Sequence, residues 1–156
     1  RAFSDWYLST NSVASVSKEQ IVLLKQFQSD LEDGKVVAYW LDKARSENLV
    51  VKLRQHAFTI QPQLESQATQ KQIEAFDFSV GLFLETLVHC LNWGRNNILS
   101  DPEVPKFLED EAYVAAFEVL KIEIPDTLPE SGVRQLTLYI DDLIRLLPTY
   151  EYKSIT

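Results

Sequence analysis

The spacing of apolar residues between proline breaks is the feature that most constrains the fold of this chain. Its six prolines are Pro62, Pro102, Pro105, Pro125, Pro129 and Pro148. Proline interrupts helices because it lacks an amide donor and clashes with the preceding turn. Between these breaks, apolar residues recur every three to four positions, as on one face of a helix. The pattern predicts an all-α, single-domain bundle of about five to six helices around a long central helix at about 65–93.

The first helix is expected to begin at Ser17, because Ser17 and Gln20 fit a capping box. Gly34 is expected to end it as a left-handed cap. One inward stripe is predicted for this helix: Ile21, Leu24, Phe27 and Leu31. Apolar residues at this spacing are typical of a helix that packs against its neighbours on one side.

Two shorter helices should follow. One covers roughly 35–45, and the next begins after Ser46 as its cap. The inward residues predicted for them are Val37, Trp40, Leu41 and Ala44, then Leu49, Val50, Leu53 and Ala57. A strand over 49–53 is the alternative for the later segment, although no turn signals flank it.

The segment 65–93 is the most informative, and Gly94 is expected to end it. One broad apolar face is predicted to contain Ile73, Phe76, Val80, Phe83, Leu84, Leu87, Val88, Cys90 and Leu91. Phe78, Leu82 and Trp93 fall on the opposite side. A helix that is apolar on two sides is either central in its own fold or covered by a partner.

A fifth helix is expected to start near Asp101–Pro102 or at Pro105 and to run to about Lys121. Its predicted stripe is Leu108, Ala112, Ala115, Val119 and Ile122. A last helix should start near Ser131 and close at Pro148, so that 17–148 form the helical domain. Residues 1–16 and 149–156 are predicted to be an N-terminal arm and a C-terminal tail. Their aromatic residues suggest packing onto something: Phe3, Trp6, Tyr7, Tyr150 and Tyr152.

The charge and the cysteine content restrict the kinds of partner and the compartment expected for this protein. The formal net charge of −8 disfavours nucleic acid, whose binding depends on phosphate neutralisation. The longest apolar stretch is interrupted by polar residues and predicts no membrane insertion. The single cysteine, Cys90, favours a reducing compartment, so the expected location is cytoplasmic, although a removed targeting segment would leave no trace.

The sequence offers little catalytic chemistry. His89 and Cys90 diverge by about 100° on a helix and cannot form a dyad. Glu85 can reach His89 four positions later, although a surface pair explains this spacing. Asp141 and Asp142 also diverge. No metal-binding or cofactor-binding motif is present, so no cofactor is expected and enzymatic activity is disfavoured.

These observations favour a non-enzymatic module for protein–protein interaction, regulation or assembly, acting on a protein partner or by self-association. The candidate interaction surface consists of Phe78, Leu82, Trp93, Trp6 and Tyr7. The alternative is a small-molecule or pigment binder with a cavity near Phe76, Phe83 and Trp40. Its remote case is globin-like haem binding between His56 and His89. An enzyme that uses carboxylates from different helices is a third hypothesis.

Overall fold

The computed structural model describes residues 17–155, most of which lie in helices. The α-helices are α1 (Lys18–Ser46), α2 (Leu49–Ile60), α3 (Pro62–Gln67), α4 (Gln70–Trp93), α5 (Asp110–Glu123) and α6 (Glu130–Leu146). Short 3₁₀ helices cover Asn97–Ser100 and Leu147–Thr149. In this range the β structure is limited to one isolated parallel bridge between Lys106 and Tyr152. The predicted all-α, single-domain bundle is confirmed.

Helix α4 lies at the centre of the bundle. It packs against α1, α2 and α6. Ring contacts join it to α5, with ring centroids 4.7 Å apart for Phe76 and Tyr113 and 5.8 Å apart for Phe83 and Phe117. The helix has 24 residues, whereas α1 has 29, so α4 is central but is not the longest helix.

Gly34 does not end the first helix, contrary to the prediction. Helix α1 continues through this position to Ser46, and Gly34 is buried in it. A β-carbon at residue 34 would come 2.6 Å from Gln135 Oε1 and 3.1 Å from Leu91 O. The glycine thus permits close packing of three helices rather than a left-handed turn. The helices predicted at 17–34 and 35–45 are therefore one helix.

The boundaries of the next helices also differ from the prediction. Asn48, not Ser46, is the N-cap of α2, and residues 49–53 are helical rather than a strand. Helix α4 begins at Gln70 instead of position 65, because Thr69 and Gln72 form a capping box there. Gly94 ends α4 as predicted, and it adopts the left-handed conformation with φ of 66°.

Residues 101–109 form an irregular segment, and the fifth helix begins at Asp110 instead of near 101–105. Lys106 holds this segment to the C-terminal tail, since its amide donates to Glu151 O at 2.8 Å and its carbonyl accepts from Lys153 N at 2.7 Å. Within α5, Ala112, Ala115 and Val119 are buried as predicted. Ile122 is 78% exposed and does not belong to the core.

The C-terminal tail packs against the bundle. Tyr150 is buried, its ring stacks 5.6 Å from that of Phe83, and its hydroxyl donates to Leu99 O. Lys106 reinforces this arrangement, because its buried ammonium donates to Leu147 O and to Asp110 Oδ1, each at 2.6 Å. The aromatic content of the tail therefore reflects packing within the chain at Tyr150.

Helices α1 and α6 run antiparallel and join distant parts of the sequence. Ser131 Oγ donates to Asp30 Oδ1 at 3.0 Å, and Gln135 Nε2 donates to Asp30 O at 2.7 Å. On the N-terminal side of Asp30, the first turns of α1 do not bury the apolar stripe that was predicted for this helix. Ile21 and Phe27 are 39% and 46% exposed. The reason is that α4 ends beside Leu31, whose Cδ1 lies 3.3 Å from the β-carbon position of Gly94.

Candidate interaction surface

The outer face of α4 carries exposed aromatic side chains. Phe78 and Trp93 are 64% and 67% exposed, and His89 between them is exposed as well. Leu82 is only partly exposed and packs against the core. At 100° per residue, positions 78, 82, 89 and 93 fall within roughly 60° of one another around the helix axis. The four side chains therefore form one stripe, called here the α4 stripe, in which Phe78, His89 and Trp93 are exposed and Leu82 is partly buried.

A hollow of about 440 Å³ opens at the C-terminal end of the α4 stripe. In the part of the chain that the structure describes, it is lined by His89, Trp93, Arg95, Asn97 and Ile98. The left-handed turn at Gly94 places the following residues beside α4, so that the 3₁₀ helix at Asn97–Ser100 forms the second wall. Ile98 is 41% exposed there. Among residues 17–155, the hollow thus combines apolar walls with the guanidinium of Arg95 and the polar side chains of His89 and Asn97.

Helical spacing predicts only part of this region. Phe78 and Trp93 were expected to lie opposite the core face, and the structure places them there, whereas Leu82 is partly buried. Trp6 and Tyr7 lie outside the described residues. Arg95, Asn97 and Ile98 were not predicted, because no periodic pattern assigns the residues after a helix-ending glycine to one face.

A buried hydroxyl network fastens the irregular segment at 101–109 to α4 and α5. Ser79 Oγ donates to Pro105 O at 2.7 Å, and the Tyr113 hydroxyl donates to Ser79 Oγ at 3.1 Å. The amide of Phe107 in turn donates to the Tyr113 hydroxyl at 2.9 Å. Each polar atom has a partner, so the network is structural. Burial raises the pKa of Tyr113, and the hydrogen bond with Ser79 opposes that shift.

The pairs considered for catalysis do not form reactive sites. Cys90 is buried, and desolvation with the nearby Asp142 carboxylate raises the pKa of its thiol to about 12, so the nucleophilic thiolate is disfavoured. His89 is exposed in the hollow. Glu85 Oε2 lies 3.9 Å from Arg45 Nη1 on α1 and thus belongs to a contact between helices.

The adjacent aspartates diverge as predicted. Asp141 pairs with Lys121 of α5, whereas Asp142 accepts from Asn96 Nδ2 at 2.8 Å. His56, on α2, is exposed. Among residues 17–155, no group of three or more histidine, cysteine or acidic side chains is arranged to hold a metal ion.

The cavity suggested near Phe76, Phe83 and Trp40 is packed with side chains. Phe76 and Phe83 are fully buried, and both contact the ring of Tyr113. Trp40 packs against the outside of this core. Ring-to-ring contacts of this kind fill an interior at crystal-like density. These contacts give Phe76 and Phe83 a part in stabilising the fold.

No protein-family model matches this chain, and no curated protein matches it. Across the part of the chain that the structure describes, the helices lack the combination of length and apolar character needed to cross a bilayer.

Proposed function

We propose that this protein is a non-enzymatic interaction module, with a regulatory or assembly role, that binds a protein partner through the α4 stripe. The observation that carries the proposal is the exposure of Phe78 and Trp93, at 64% and 67%, on a helix whose opposite side forms the core. Exposed large aromatic groups arranged along one face are typical of interfaces, and tryptophan is enriched among the residues that dominate binding energy.

An amphipathic helix of the partner fits this surface best. The α4 stripe extends over about 22 Å, which corresponds to four turns of helix at 1.5 Å per residue. The hollow beside Trp93 and Ile98 has room for a large apolar side chain of that helix. This arrangement corresponds to recognition of a helix in a groove, in which a few anchors at helical spacing provide most of the affinity.

The negative charge of this chain indicates a second property of the partner, namely basic residues. Glu74 and Glu85 are exposed on α4 and lie beside the α4 stripe by helical geometry. The whole chain has a formal net charge of −8. A partner helix with basic residues beside its apolar anchors is therefore favoured in both encounter rate and orientation. The same charge repels nucleic acid, which is not the proposed partner.

The proposed compartment is the cytoplasm. Cys90 is a free, buried cysteine and is the only cysteine in the chain. Unpaired thiols are usual in a reducing environment. This part of the proposal is tested by imaging the tagged full-length chain in its native cells, where a secreted or organellar distribution would contradict it.

Site-specific photo-crosslinking tests the proposed surface. A photoreactive residue at position 93 should capture a partner from the native source. Position 122 is the matched control, since Ile122 is 78% exposed but lies on α5. The captured protein is then purified and titrated with the parent and with Trp93→Ala. A loss of about 2 kcal/mol, or roughly 30-fold in affinity, is expected for an aromatic anchor.

Two results contradict the proposal. One is equal capture at positions 93 and 122, which indicates nonspecific contact. The other is unchanged affinity of the purified partner for Phe78→Ala and Trp93→Ala, with both variants melting like the parent. Sedimentation of the pure protein separates a foreign partner from a second copy. A visible absorption band in protein from the native source would instead support the pigment-binding alternative.

A further inference from the structure

The hollow beside Trp93 holds an arginine that has no acidic partner among residues 17–155. The other four arginines in this range each form a salt bridge, namely Arg45, Arg54, Arg134 and Arg145. Arg95 is exposed and lines the hollow, and none of the described carboxylates pairs with it. Its planar guanidinium is therefore available for a carboxylate that residues 17–155 do not supply.

The carboxylate that contacts the turn after α4 already has partners. Asp142 of α6 accepts from Asn96 Nδ2 at 2.8 Å with one oxygen. Its other oxygen accepts from Arg145 Nη2 at 3.3 Å. Because both oxygens are engaged, Asp142 holds the turn to α6 and does not pair with Arg95.

The backbone on both sides of the hollow is held in place. The amide of Arg95 donates to Cys90 O at 3.2 Å, which fixes the residue after Gly94 against the end of α4. Farther along the chain, Leu99 is buried, and its carbonyl accepts from the Tyr150 hydroxyl. The second wall of the hollow is thus anchored to the bundle, so a bound ligand orders little additional backbone.

We propose that the hollow binds a carboxylate next to an apolar group, and that this carboxylate is an acidic side chain of the partner helix. Arg95 pairs with the carboxylate through two parallel hydrogen bonds, and Trp93 and Ile98 contact the adjacent apolar group. His89 and Asn97 each offer a further N–H donor in the lining. The inference rests on the proposed function, because it names the chemistry of the partner at one end of the α4 stripe.

The openness of the hollow favours a protein ligand over a small free acid. Its apolar residues, Trp93 and Ile98, are 67% and 41% exposed. Sites for small molecules usually bury most of the ligand surface. A partner helix covers both apolar residues and excludes water from the ion pair with Arg95, which strengthens that pair.

The acidic side chain gives the partner helix one orientation. Glu74 is exposed near the opposite end of the α4 stripe, about 29 Å from Trp93 along α4 at 1.5 Å per residue. A basic residue of the partner then faces Glu74 while its acidic residue faces Arg95. The reversed helix brings like charges together at both ends, which disfavours that orientation.

Titration with a small apolar acid tests the carboxylate site without the partner. Phenylacetate is added to the full chain, and phenylacetamide, an uncharged molecule of the same size, is the matched probe. The indole N–H signal of Trp93, assigned with Trp93→Phe, reports binding by NMR. Phenylacetate should shift this signal with millimolar affinity, and phenylacetamide should bind about three- to tenfold more weakly because it cannot form the ion pair.

Variants of two arginines separate the ion pair from a general effect of charge. Arg95→Gln should remove the difference between the two probes, whereas Arg95→Lys, which keeps the charge, should retain part of it. Arg134→Gln is the matched control, because Arg134 is an exposed arginine of α6 that already pairs with Glu130. This control should leave both affinities unchanged.

Three outcomes of the titration overturn the inference. The first is equal affinity for phenylacetate and phenylacetamide. The second is an equal response of Arg95→Gln and Arg134→Gln. The third is micromolar or tighter binding of phenylacetate, because the hollow is then a complete site for a small free acid rather than one end of a helix-binding surface.

The affinity of the purified partner separates this inference from the proposed function. Arg95→Gln should weaken the partner about three- to tenfold, and Arg134→Gln should not. If Trp93→Ala weakens the partner and Arg95→Gln does not, the proposed function stands and the inference fails. If neither variant weakens the partner, both fail.

Discussion

Gly132 in α6 lies directly against α1, at a point where a β-carbon would come 2.6 Å from Val37 Cγ2 and would also meet the carbonyl of Asp33. The two helices therefore approach as closely as glycine allows. Gly34 makes a matching approach from α1, since its β-carbon position lies 3.1 Å from Leu91 O. These two glycines set the spacing between α1 and the rest of the bundle.

Gly132→Ala should destabilise the protein by about 1–3 kcal/mol, because the added methyl group forces the two backbones apart. Urea unfolding measures the change. Gly81→Ala is the matched control, since its β-carbon has no neighbour nearer than 3.9 Å, at Val50. Alanine is preferred over glycine inside helices, so this control should retain or gain stability. Equal losses in the two variants would contradict the close approach of α1 and α6.

Phe83→Ala should cost about 3–5 kcal/mol, because removal of a fully buried ring leaves a cavity. Phe83 contacts the rings of Tyr113, Phe117 and Tyr150. Phe78→Ala, on the exposed side of the same helix, should alter stability by less than about 0.5 kcal/mol. Thermal unfolding of both variants makes the comparison. A melting temperature for Phe83→Ala within a degree or so of the parent would show that α4 is not central.

Ser79→Ala should cost about 1–3 kcal/mol, because it leaves Pro105 O without its buried donor. Tyr113→Phe removes the acceptor for the amide of Phe107. In a double-mutant cycle measured by denaturant unfolding, the two losses should not add, since both side chains belong to one network. Hydrogen exchange at the Phe107 amide should accelerate in Tyr113→Phe. Simple additivity of the two variants would contradict coupling through the hydroxyl pair.

Stability should fall in alkaline solution. Burial, with smaller electrostatic contributions, raises the pKa of Tyr139 and that of Tyr150 to about 12, and that of Tyr113 also rises. An unfolded tyrosine titrates near pH 10. Because the folded protein keeps these protons longer, their contribution is complete below about pH 10 and is lost as the pH rises through about 12. Denaturant unfolding at several pH values should give a shallower decline for Tyr150→Phe. An unchanged slope would contradict this assignment.

Much of the helical architecture could be predicted, because capping and periodicity are local properties of the chain. The Ser17 capping box and the helix end at Gly94 both appear in the structure at their predicted positions. Gly34 could not be interpreted locally, since a helix-ending glycine and a close-packing glycine look the same in sequence. Only the approach of Gln135, about a hundred residues later in the chain, distinguishes them.

Part of the candidate interaction surface could also be predicted from the sequence. Helical spacing was enough to place Phe78 and Trp93 opposite the core. It could not show that Leu82 packs inward or that Ile98 returns to form a wall beside Trp93. Spacing also predicted burial of Phe27, which depends on where α4 ends relative to α1. The apolar spacing of α1 does not show where α4, the helix that covers it, ends.

The contact between α1 and α6 can form only late in synthesis. Asp30 and Ser131, which hydrogen-bond across this contact, are 101 residues apart in the sequence. At ribosomal rates of about 5–20 residues per second, α1 leaves the ribosome roughly 5–20 seconds before its partner helix exists. During that interval its apolar side is available to chaperones and to neighbouring nascent chains. The long separation also raises contact order, so the final closure should be slow for a helical protein of this size.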